Sequence, residues 1–113
     1  MNNTQDFDVA VEKWVAKVQQ LITDHDTIRY PNLPYKRTLS IEPGRRYIRV
    51  VVNSGSQRSA FAFIDKGDKD GAGRGDLLKS AGWKAPAVHA RGNLFDVNDG
   101  MKYVDAYGMA YLR

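Results

Sequence analysis

The sequence predicts an α+β fold: one N-terminal amphipathic helix packed on a three- to four-stranded antiparallel β-meander, with an irregular C-terminal segment. Three observations carry this. Apolar residues recur at three- and four-residue steps over the first two dozen positions. Between residues 45 and 65 they alternate around a turn, Asn53-Ser54-Gly55-Ser56. Beyond Trp83 neither period persists. At 113 residues, with 42% of them hydrophobic, the chain fits a single domain over 1–113 with a core of its own.

The helix is expected over residues 5–23. Phe7, Val11, Trp14, Val18, Leu21 and Ile22 share one face, which places Trp14 in the core. Thr4 suits the N-cap, and Asp6 and Asp8 suit the positive helix N-terminus. Pro31 and Pro34 make residues 27–36 an extended connector carrying Tyr30 and Tyr35. Strands follow over 37–42, 45–53 and 58–65. Pro43-Gly44 ends the first, and the Asn53 turn joins the others as a hairpin. The Gly- and Asp-rich segment 66–75 reads as a mobile hairpin loop, and Asp76–Ser80 as a further strand. Lys84-Ala85-Pro86-Ala87 turns the chain, Val88–Arg91 reads as a helical turn, and Tyr103–Arg113 as a short strand or irregular tail.

Alternation gives the sheet two unlike faces. Arg46, Ile48, Val50 and Val52 point one way, and this face belongs to the core. Arg45, Tyr47, Arg49 and Val51 point the other way; on the next strand Ser59, Phe61 and Phe63 share a face. One helix covers one side of such a sheet. The other side needs the C-terminal segment, a ligand or a second subunit, and a homo-oligomer is expected on that ground.

Several function classes drop out. No apolar run approaches the roughly 18 residues of a membrane span. The polar start Met1–Asp6 does not resemble a secretory signal. With no cysteine there are no disulfides and no thiolate–zinc sites. His25 and His89 are the two histidines, and neither a nucleophile elbow nor a metal-binding His pair accompanies them. Asp65, Asp96, Asp99 and Asp105 could cluster in space, which the sequence by itself does not show. The loop Asp65–Asp76 has the aspartates of a calcium loop, but Ala72 fills a ligand position, no glutamate closes it, and Lys66, Lys69 and Arg74 oppose a cation. The expectation is a cytosolic protein that is not an enzyme and needs no cofactor.

Charge points elsewhere. The net charge is +4, but residues 1–27 carry −3 and residues 28–58 carry +6, with Glu42 the one acid in the latter. Residues 77–95 contain no acid at all. Arg45, Arg46, Tyr47 and Arg49 on one strand, with Lys79, Trp83, Lys84 and Arg91 in the acid-free stretch, combine cations with aromatic rings. Guanidinium and ammonium groups neutralise phosphates, and aromatic rings stack on unpaired bases. The expected function is sequence-tolerant binding of single-stranded DNA or RNA, with Tyr47 and Trp83 stacking and the six cations meeting phosphates. The rival is an interaction module that binds another protein through the exposed sheet or the 66–75 loop.

The segment Gly75–Asp96, with Trp83-Lys84-Ala85-Pro86-Ala87 and Arg91-Gly92-Asn93-Leu94-Phe95-Asp96, resembles a family of short uncharacterised proteins of tailed bacteriophages. So do the ending Tyr107–Arg113 and the run from Pro43-Gly44-Arg45-Arg46-Tyr47 to Phe63-Ile64-Asp65. Loop 66–75 is longer than that family's usual turn, and Val88 replaces an expected lysine. The resemblance implies a phage protein acting in the cytoplasm of an infected bacterial host, and a host protein as the partner in the rival reading. It implies no activity and no functional residues.

Overall fold

The computed structural model describes residues 3–32, 36–67, 73–95, 100–101, 104–106 and 108–109, with the side chains of all but 3–6 and 88. Helix α1 spans Asn3–Arg29. It buries Phe7, Val11, Trp14, Val18 and Ile22, none more than 5% exposed, so the three- and four-residue spacing reports the core face correctly. The helix already includes Asn3, ahead of the expected cap at Thr4.

At its other end it outruns the expected stop at residue 23. Thr23–Arg29 contains no glycine or proline to break it. Gln20 Nε2 donates to Asp24 Oδ1 one turn on, at 2.8 Å, and Arg29 suits the negative C-terminal end. The Tyr30 N–H closes the last turn on Asp26 O at 2.7 Å. Pro31, which cannot donate and disfavours helix at Tyr30, stops it there. Of the expected connector, residues 27–29 are thus helical, and 33–35, with Tyr35, lie outside the described residues.

Five antiparallel strands form a meander in chain order: β1 Arg37–Pro43, β2 Tyr47–Ser54, β3 Gln57–Asp65, β4 Asp76–Ser80 and β5 Pro86–Asn93. The α+β class therefore holds, with one strand more than expected. That strand, β5, corrects the helical turn at Val88–Arg91. Ser80 pairs with Pro86, Leu78 with Ala90 and Leu77 with Gly92, and these non-local contacts override weak local preference. Pro86 is tolerated as the first residue of an edge strand. Between β2 and β3 the two-residue turn Gly55-Ser56 works because Gly55 takes φ 62°.

A bulge in the β2–β3 pair revises the face assignment. Val50 faces Ala62, but Val51 faces Ala60, leaving Phe61 unpaired. Phe61 thereby joins Ala62 and Ile64 in the helix-side core, while Phe63 stays outside that cluster. Ile48, Val50, Phe61, Ile64 and Leu77 meet the helix face there, and Val52 packs against them. A two-stranded hairpin, β6 Val104–Asp105 and β7 Gly108–Met109, brings Ala106 and Met109 into the same core. The described part of the tail thus packs beside the helix rather than over the opposite face of the sheet.

Candidate nucleic-acid interface

The face turned away from the helix is built by register. Glu42 on β1 stands opposite Arg49 on β2, and Arg49 opposite Phe63 on β3. Two rows along, Asn53 stands opposite Arg58. Phe63 faces Leu78 on β4. Val51, Phe63 and Leu78 are buried here although they lie outside the helix-side cluster. The Tyr47 ring meets Phe63 edge-on at 6.3 Å. The apolar surface that argued for a second subunit is thus already withdrawn from water within one chain.

Around this floor the polar groups form one linked set. Glu42 Oε1 accepts from Arg49 Nη2 at 2.6 Å and from Arg49 Nε at 3.2 Å. Its other oxygen accepts from Arg58 Nη2. Arg49, and after it Arg58, hold the Glu42 carboxyl below the usual glutamate range. Arg58 Nε also donates to Asn53 Oδ1, whose Nδ2 donates to Ser40 Oγ. Arg49 Nη1 donates to the Trp83 carbonyl at 3.1 Å, and its guanidinium lies 4.0 Å from the centre of the Trp83 ring. Arg58 approaches the same ring at 5.5 Å. Trp83 sits in the turn between β4 and β5, 37% exposed. It is an amphipathic ring resting on a cation.

At the β1–β2 end, Arg46 grips Asp65 with both arms of its fork, Nε to Oδ1 at 2.9 Å and Nη2 to Oδ2 at 3.0 Å. Its guanidinium also lies 5.5 Å from the Tyr47 ring. Asp65 is buried and accepts the Gly67 N–H at 2.7 Å. Arg45 and Lys84 are exposed in the flanking turns.

Of the eight residues picked out by sequence, six therefore border this face: Arg45, Arg46, Tyr47, Arg49, Trp83 and Lys84. Lys79 does not. It pairs with Ala62 of the helix-side core, and its Nζ donates to Met109 O at 3.0 Å. Arg91 is buried, with Nη1 on the His89 carbonyl. Sequence reasoning missed Glu42 and Arg58 as members of the set. The lone acid in a basic stretch was the available signal. Of loop 66–75, residues 68–72 lie outside the described residues, as do Asp96 and Asp99. Asp105 is exposed.

A family model described as a family of unknown function, DUF7717, matches residues 1–112. The chain belongs to this family. The match takes in the helix and all five strands of the large sheet, so the arginine–tryptophan face lies inside the DUF7717 span. No curated protein and no solved structure matches the chain. No helix among the described residues is long and apolar enough to cross a membrane.

Proposed function

We propose that this is a nucleic-acid-binding accessory protein of a tailed bacteriophage, acting in the cytoplasm of the infected host. It holds single-stranded DNA or RNA on the outer face of its sheet. The observation that carries the reading is Trp83: a partly exposed indole stacked on Arg49, next to Arg58 and Lys84. Bases of any identity offer a π-face to such a ring, which suits sequence-tolerant binding. Tyr47 offers a second ring along the same strand as Arg49, and Arg45, Arg46 and Lys84 supply further cations. Lys79 and Arg91, turned into the body of the chain, contribute to the fold instead. The phage origin is supported by the likeness of residues 75–96 and 107–113 to short phage proteins.

Titration of a labelled single-stranded oligonucleotide at low salt tests the reading. Binding that weakens on Trp83→Ala, with an unchanged circular dichroism spectrum, is the expected result. No binding by the wild-type chain at about 50 mM salt, where phosphate contacts are strongest, overturns it.

A further inference from the structure

The Glu42 carboxylate sits where two guanidiniums converge, and each of its oxygens has an arginine donor. An arginine fork matches a phosphate as well as it matches a carboxylate. We propose that Glu42 occupies a phosphodiester subsite: its two oxygens hold the places of two phosphate oxygens, and a bound strand displaces it from Arg49 and Arg58. This rests on the outer face being the nucleic-acid surface and adds where its central phosphate goes.

Three features make the exchange feasible. Arg49 is held independently of Glu42, through the Trp83 carbonyl at 3.1 Å and the ring at 4.0 Å, so the fork stays aimed when the anion changes. Arg58 is likewise tied to Asn53. The Glu42 side chain is 35% exposed, so on leaving it enters water rather than a buried void, and its bond to Arg58 is solvent-exposed, where an ion pair holds only weakly. Two cations against one carboxylate also leave a net positive site for the incoming phosphate. A base attached to that phosphate lies beside Trp83, which couples the stacking ring to the charge clamp. The built-in carboxylate then acts as a competitor, so only an anion delivered with stacking partners displaces it.

The test is binding of a fluorescein-labelled oligothymidylate of about 16 nucleotides to wild type, Glu42→Gln, and Glu42→Gln combined with Arg58→Gln. Glu42→Gln is expected to bind about two- to fivefold tighter, the factor an exposed charge pair is worth, and the added Arg58→Gln to abolish the gain. Glu42→Thr, a residue suited to a strand, serves as a second variant if Glu42→Gln melts early. Equal or weaker binding by both Glu42 variants overturns the proposal, as does a gain that survives loss of Arg58. If wild type does not bind the oligonucleotide, the function proposed above fails, and inorganic phosphate decides the subsite separately. Phosphate-induced shifts of the Arg49 and Arg58 Nε–H resonances that grow in Glu42→Gln support the subsite. Their absence in both proteins overturns it.

Discussion

Arg37 holds Asp26 with two parallel bonds, Nε to Oδ2 and Nη2 to Oδ1, both 2.7 Å. The pair joins the last turn of α1 to the first residue of β1. Arg37 Nη1 donates in addition to Ala106 O at 2.9 Å, which brings in the C-terminal hairpin. Arg37 is the main cause of an Asp26 pKa held down to about 2, from an ordinary 3.8, with His25 adding to it and partial burial opposing it. A depressed carboxyl stabilises the fold above its unfolded pKa, and the stabilisation fades as pH falls through the folded value. Asp26→Asn is expected to lower stability by about 1–3 kcal/mol at neutral pH, as loss of charge-assisted hydrogen bonds does. Urea melts of both proteins should show the gap closing between about pH 4 and pH 2. A gap that does not change with pH would mean the carboxylate charge plays no part.

Gly100 supports the core where it passes under Trp14. Its φ is 78°, and a Cβ there would meet Leu77 Cδ1 at 2.5 Å, Asn93 O at 3.1 Å and Trp14 Cδ1 at 3.3 Å. Its carbonyl also accepts the Trp14 indole N–H at 3.3 Å. Gly100→Ala is expected to cost more than about 1 kcal/mol, through both the positive φ and the contacts. Thermal unfolding measures this, and an unchanged melting temperature would contradict it.

The two tryptophans should respond in opposite ways. Trp14 is 1% exposed and sits in the core cluster, so Trp14→Ala should cost about 3–5 kcal/mol of stability. Trp83, stacked on Arg49 at the surface, should cost about 1 kcal/mol or less on truncation but weaken single-strand binding by about 1–3 kcal/mol. Melting curves and oligonucleotide titrations on the same two variants separate the roles. An early-melting Trp83→Ala would assign that ring to the fold and leave Tyr47 as the stacking aromatic.

Salt should act steeply on the proposed complex. Each phosphate neutralised on a single strand adds about 0.7 to the slope of log affinity against log salt. With Arg45, Arg49, Arg58 and Lys84 engaged, affinity should fall at least about tenfold between 50 and 200 mM salt. A flat response would exclude phosphate contacts as the source of binding.

The helix and the hairpin of β2 and β3 are legible in the sequence because each obeys one local period and the turn carries a glycine at the position that needs one. β5 is not legible. Its proline and glycine read locally as loop, and the two register shifts against β4 break the alternation that would mark a strand. Phe61 changes face for a similar reason, since a bulge is a property of the pair and not of either strand. The site divides along the same line. Tyr47 and Arg49 can be placed on one face by counting along β2. The stacking of Arg49 on Trp83, 34 positions away, and the convergence of Arg49 and Arg58 on Glu42 require the sheet to be assembled first. The expectation of a homo-oligomer drew on sheet surface left open by one helix. With Val51, Phe63 and Leu78 buried within the chain, that argument for association loses its footing.

Gln19 has a bearing on how the protein behaves in a crowded solution. Its side-chain amide donates to Arg37 O at 3.0 Å and accepts from the Leu39 N–H at 2.7 Å. Those are the bonds a peptide group of a neighbouring strand would make to the outer edge of β1. Further along, Pro43 has no N–H to offer, so of the outward-facing positions that follow Leu39 only Ile41 can pair through both its N–H and its carbonyl. Among the described residues, a single primary amide and a proline thus stand between a seven-residue edge strand and the templated pairing that begins a fibril. Gln19→Ala should leave the native far-ultraviolet spectrum intact yet shorten the lag before thioflavin-positive aggregates form, and an unaltered lag would show that the edge is shielded by something else.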